Sequence, residues 1–228
     1  MLGTTTSYDH HAFNRLSTIE EANAALQLTE KLQIAFAVLG PRFIKHNMHD
    51  HWGICLLHKH WPLRDGEAPI HVQTTTPAGR EWSCEPRTGP FTASSWPSVL
   101  RFDADAVLQP LEFSTERHLE AAGDLLDNAR AFQKQIGAAM REHGLEDTFG
   151  LVAIREPRSD CRLIEFTHDR TSVVREVPAA GFANPVIQTN WRFKPNTVMG
   201  GCVVSCFTDC NDEPDGSHST KHVHTHNK

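Results

Sequence analysis

Five short segments in the last third of the chain carry the composition of β-strands: FGLVAIRE (149–156), CRLIEFTH (161–168), TSVVREV (171–177), VIQTNWRF (186–193) and GCVVSCF (201–207). They are rich in β-branched and aromatic residues, and turns such as Pro157-Arg158-Ser159-Asp160 favour an antiparallel meander. A chain committed to so many strands must bury at least one sheet face. Upstream, residues 52–61 and 70–74 flank Asp65-Gly66 as a plausible hairpin, and residues 99–102 and 107–113 are weaker strand candidates.

Two stretches have helical period instead. Ser17-Thr18-Ile19-Glu20 has the form of a capping box with Ser17 as N-cap. Ala22, Leu26, Ala35, Phe36 and Leu39 follow at helical spacing, and Gly40-Pro41 supplies a stop, predicting a helix over 18–39. Leu119, Ala122, Leu126, Ala129, Ile136 and Met140 mark a second helix over 115–143, with Gly144 suited to the left-handed position after its end. Residues 75–98, with four prolines and two glycines, have the look of an irregular surface loop or lid. The expected fold is therefore α+β: one mainly antiparallel sheet with two long helices packed on it. A single globular domain covers 1–208, followed by a polar tail, 209–228, expected to be flexible.

Composition narrows the function. The 39% hydrophobic content is enough for a sizeable core in 228 residues. A formal net charge of −6 with no basic run argues against general nucleic-acid binding. The first residues lack the pattern of a signal peptide, and no apolar run is long enough to span a bilayer. The expectation is a soluble, cytoplasmic protein, not associated with membranes, whose six cysteines are reduced thiols. Nothing in the sequence indicates its oligomeric state.

The chemistry concentrates in HNMHDHWGICLLHKHW (46–61), which holds five of the fifteen histidines. On an extended strand over 54–61, Ile54, Leu56, His58 and His60 share one face, while Cys55, Leu57, Lys59 and Trp61 share the other. Both faces begin apolar, as in an interior strand. Two imidazoles two residues apart can reach one ion, so His58 and His60 are the leading metal-ligand candidates. His49 and His51 repeat the spacing with opposite parity, and a bend at Gly53 would bring all four together. His71, on the expected partner strand, and Glu67, the nearest carboxylate after the Asp65-Gly66 turn, complete the candidate set.

A histidine site of this kind suits a divalent transition metal: zinc, iron or copper. The ion would activate water or dioxygen in a small metal-dependent enzyme acting on a small molecule. The competing reading is a non-catalytic binding protein for a small ligand or peptide, its histidines packed and metal-free. In the tail, Cys206 and Cys210 precede His222 and His226 at nearly zinc-finger spacing. The intervening NDEPDGSHSTK lacks the apolar residues a finger helix packs with. No nucleophile elbow, phosphate loop, dinucleotide turn or HExxH motif is present.

Overall fold

Residues 52–56 are buried at every position, and the fold gives both faces of that strand something to pack against. The structure, a computed structural model, describes residues 8–89, 95–180, 186–196 and 202–211. Its strands are β1 (Trp52–Leu56), β2 (Glu67–Thr76), β3 (Gly79–Thr88), β4 (Trp96–Phe102), β5 (Leu108–Ser114), β6 (Phe149–Ala153), β7 (Cys161–His168), β8 (Thr171–Pro178), β9 (Val186–Pro195) and β10 (Cys202–Asn211). They close into a barrel in the order β1-β6-β4-β5-β2-β3-β8-β7-β10-β9. The final bond of the ring pairs β1 with β9, through Ile54 opposite Trp191 and Cys55 opposite Asn190. Most neighbours are antiparallel, but β2–β5 and β7–β10 are parallel.

The alternation along β1 explains its apolar faces. Cys55 clusters with Trp82, Cys84, Leu111, Val152, Leu163 and Val174, the inner lining of the barrel. Ile54 and Leu56 join Leu100, Phe149, Leu151, Trp191 and Phe193 on the outer face. That outer face is covered by helices α2 (Ile19–Gln27), α3 (Lys31–Lys45), α4 (His118–Asn128) and α5 (Arg130–Glu142), which contribute Leu39, Phe43, Leu126, Phe132, Ile136 and Met140. The short α1 (His10–Asn14) places Ala12 and Phe13 in the inner cluster, with Leu16 just behind, and so plugs one mouth.

These observations correct the expected α+β class: the sheet is a closed, mixed barrel, and neither long helix exists as one piece. The first breaks at Leu28–Glu30, where Leu28 is 87% exposed and the Thr29 hydroxyl and amide both turn back to the Leu26 carbonyl. Its cap lies one residue later than expected, with Thr18 and Glu21 forming the capping box. The helix then runs through Pro41 to Lys45, because Leu39, Gly40 and Phe43 are buried against the barrel and that packing outweighs the missing amide. The second long helix divides at Ala129, and the Gln133 amide caps the freed Leu126 carbonyl at 2.7 Å.

Two further expectations change. β1 does not form a hairpin with β2; its neighbours are β6 and β9, both far along the chain. The supposed loop at 75–98 is mostly sheet, since β2 and β3 pair in unbroken register from Glu67–Thr88 to Thr76–Gly79. Residues 90–94 lie outside the described residues.

Closure demands one very close approach. A Cβ on Gly53 would overlap the Trp191 backbone carbonyl, and a Cβ on Gly150 would lie 2.5 Å from the Leu100 carbonyl oxygen. Gly53→Ala is therefore expected to cost about 2–3 kcal/mol, because backbone rather than a flexible side chain must move. Gly123→Ala, in α4 with no atom within 4 Å of its Cβ, should instead stabilise by about 0.5–1 kcal/mol. Urea denaturation midpoints of the two variants check this contrast.

Candidate metal centre

After Leu56 the chain leaves the β1 ladder. Leu57 donates to the Thr148 carbonyl and Lys59 to the Ser17 carbonyl, each at 2.9 Å, which pins an irregular segment across the barrel end. His58 and His60 turn inward from this segment, their rings 4.7 Å apart and nearly perpendicular. Glu165 comes from the middle of β7, between Leu163 and Thr167 on the same face. Cys210 comes from β10, and the parallel register sets it beside Glu165. One ligand atom from each of His58, His60, Glu165 and Cys210 lies within 4.8 Å of all the others.

The hydrogen bonds orient these groups. His58 Nδ1 donates to the Leu56 carbonyl at 2.8 Å, which leaves Nε2 as the free ring nitrogen, 3.6 Å from Cys210 Sγ. A backbone carbonyl holding the far nitrogen is a common support for a metal-binding imidazole. His60 Nε2 lies 3.1 Å from Glu165 Oε1, and its Nδ1 lies 3.0 Å from the Thr167 hydroxyl. Ser172 donates to the same Glu165 oxygen at 2.7 Å, and the Cys210 thiol donates to Oε2 at 3.4 Å.

Burial and charge split the imidazoles. Burial, and then the neighbouring His60, push His58 down to about 4, so it stays neutral. Burial also acts to lower His60, but the Glu165 carboxylate outweighs it and His60 is raised. Burial would raise Glu165, yet His60, His58 and the Ser172 hydroxyl hold it well below the usual carboxylate range. The Cys210 thiol is pushed well up, first by burial and then by Glu165.

The other sequence candidates sit elsewhere. His49 and His51 occupy the turn before β1, at the opposite end of that strand from His58, and a bend at Gly53 does not bring them together. His49 Nε2 lies 3.7 Å from Asp50, in a surface groove with Arg192 and Lys194, while His51 is exposed. Glu67 is bound to Arg170, whose hydrogen bonds hold its carboxylate below the usual range, and it accepts from the Arg64 amide at 2.7 Å. His71 is buried on β2 with Nε2 2.8 Å from Glu112.

Glu165 and Cys210 were missed by the sequence reading. One signal was available for Glu165: a carboxylate at an inward position of an otherwise apolar strand. Cys210 was grouped with a tail whose histidines, His222 and His226, lie outside the described residues.

His58, His60 and Glu165 line a cavity of about 40 Å³ inside the barrel, shared with His71, Glu112 and Arg155. Tryptophans border the interior in two places: Trp61 stacks at a tilt 5.6 Å from His60, and Trp82 donates to Glu116 at 2.8 Å. The donor set of two imidazoles, a carboxylate and a thiol fits a borderline or soft transition metal rather than calcium or magnesium.

No protein-family model, curated protein or solved structure matches the chain. Among the described residues no helix is long and apolar enough to cross a membrane.

The polar wall beyond the cavity makes a pH test. Glu116 is buried and would be raised by burial, but Arg155, Trp82 and Ser114 bring it below its ordinary 4.5. A depressed carboxyl contributes stability above its unfolded pKa, and that contribution is lost as pH falls through the folded value. Wild type is therefore expected to lose stability more steeply than Glu116→Gln between about pH 5 and 3. Urea unfolding across that range measures the two slopes.

Proposed function

We propose that this chain is a metal-binding barrel protein, with His58, His60, Glu165 and Cys210 holding one transition-metal ion inside the barrel. The observation that carries the reading is their convergence from three separate segments onto one buried point. Zinc is the first choice, because its tetrahedral sites accept nitrogen, sulfur and oxygen donors in this number. Iron and copper share the preference for imidazole and are the next candidates. Four protein ligands fill a tetrahedral shell, which favours an ion that organises the interior over one with an open catalytic position. An enzymatic role, hydrolytic or oxidative, would need one of the four to give way to a small substrate.

Binding would release a proton, since the Cys210 thiol must lose its own to become a thiolate ligand. A thiol ligand must also stay reduced, which supports a cytoplasmic location. A second reading has its own support. Every cluster group already has a partner within the protein: His60 with Glu165, His58 with the Leu56 carbonyl, the Cys210 thiol with Glu165, and Glu165 with Ser172. On that view the four are a metal-free polar core of a ligand-binding barrel.

Cobalt(II) titration separates the two. Wild type is expected to take up one equivalent with a thiolate-to-cobalt absorption band, and Cys210→Ser to lose the band. His58→Asn should weaken uptake at least tenfold. At zinc 100-fold above its Kd, stability should rise by about 2.7 kcal/mol. Folded wild-type protein that takes up no cobalt would leave the metal-free reading. Uptake lost only on truncation after Asn211 would move the metal to the tail.

A further inference from the structure

The cavity has a second polar wall whose needs are not met. Arg155, just beyond β6, and His71 on β2 both line it. Each has one buried polar atom with no hydrogen-bond partner among the described residues: Nη2 of Arg155 and Nδ1 of His71, a residue only 4% exposed. The rest of each group is fixed. Arg155 Nε donates to Glu116 at 3.1 Å, and its guanidinium lies 5.7 Å from the Trp82 ring centre. His71 Nε2 faces Glu112 Oε2 at 2.8 Å; a carboxylate only accepts, so Nε2 carries a hydrogen and Nδ1 is the ring nitrogen left to pair with something else. Buried donors and acceptors left unpaired are costly, so a molecule that enters this cavity and pairs with both nitrogens gains from each.

Size and charge select that partner. Water-sized occupants need about 10–15 Å³ each on this measure, so the cavity of about 40 Å³ has room for about three. An anion would enter beside Glu112 and Glu165, and a cation would meet Arg155. An apolar molecule would leave both polar atoms unmet. A neutral molecule bearing a lone pair and an O–H or N–H satisfies both, and a hydroxyl suits His71 in either protonation state.

We propose that this chamber binds a neutral protic molecule of two or three heavy atoms, such as methanol, hydrogen peroxide or hydroxylamine, accepting from Arg155 Nη2 and meeting His71 Nδ1. His71 on β2 and Glu165 on β7 stand three strands apart in the ring of ten, so the site and the candidate metal cluster are two parts of one cavity wall. The site's two pairing groups, Arg155 and His71, are not cluster residues, although His58, His60 and Glu165 line the same cavity.

Methyl NMR tests it, with Leu111, Val99, Val152 and Val174 as reporters on the cavity wall. Methanol, xenon and azide serve as protic, apolar and anionic probes, added to protein as purified and after chelation. Methanol is expected to shift these methyls saturably, on the order of millimolar, in both preparations. Xenon and azide should bind at least tenfold more weakly. His71→Leu should weaken methanol at least tenfold. Val174→Leu, which fills the space and leaves every polar group in place, should abolish the shifts while the remaining spectrum keeps its dispersion. Shifts unaffected by Val174→Leu, xenon or azide matching methanol, or no response to methanol would each overturn the proposal. Because chelated protein is included, failure to bind metal cannot mask either result.

Discussion

A carboxylate on the inner wall of a barrel cannot be left to water, and Glu165 is the charge around which this interior is arranged. An isolated ionised group in such a place costs several kcal/mol even after relaxation. Four partners offset it: His60, Ser172, the Cys210 thiol and, at longer range, His58. They arrive from β8, β10 and the segment after β1, so the charge is compensated only once the sheet has closed. The cluster thus ties the ends of the ring together chemically, where β1 meets β9 through only two paired positions. Removing Glu165 would strand His60, and removing His60 would strand Glu165, which is why the pair acts as one unit.

Much of the β-content was legible locally. Residues 161–168 and 171–177 stand out by their β-branched pattern, and both became strands with little change of boundary. The double-sided burial of β1 was legible too, because Ile54, Cys55, Leu56 and Leu57 leave no polar face. What alternation cannot express is which layer each face meets. Here one face meets the barrel interior and the other a coat of helices, and a sheet buried between two layers of different kind gives the same pattern. Closure is a pairing of β1 with β9, over 130 residues later, and has no local signature. The helix breaks were hidden for a related reason: Leu28 continues the apolar period but points to solvent, and Ala129 is an excellent helix former placed at a break.

The site divides along the same line. His58 and His60 are adjacent in sequence, and their proximity needs only that the chain turn both inward. It does so after the strand has ended, so the alternation argument had the wrong mechanism for their meeting. His49 and His51 show the other side of this. A five-residue strand separates them from His58, and at roughly 3.3 Å per residue that span exceeds the reach of any imidazole pair. Glu67 had an arginine partner at close range, Arg170, from a segment more than 100 residues away. Proximity in sequence favoured Glu67 as a ligand; proximity in space favours Glu165.

Strand number explains why room remains inside at all. Eight strands enclose an interior that side chains just fill, and the diameter grows with each strand added. This barrel has ten, and the chain fills most of the surplus with Phe13 from the plugging helix, Trp82, Leu163 and Phe207. Larger aromatics could have filled the remainder. Instead the interior places two histidine–carboxylate pairs, His60–Glu165 and His71–Glu112, around one cavity, with Leu111, Val152 and Val174 also on its wall. Each pair consumes most of its own hydrogen-bonding capacity, so neither closes the gap toward the other. A barrel that needed only stability would gain by exchanging such pairs for packed hydrocarbon. Keeping both, with a cavity between them and two nitrogens unmet, is the arrangement expected of an interior built to receive something small.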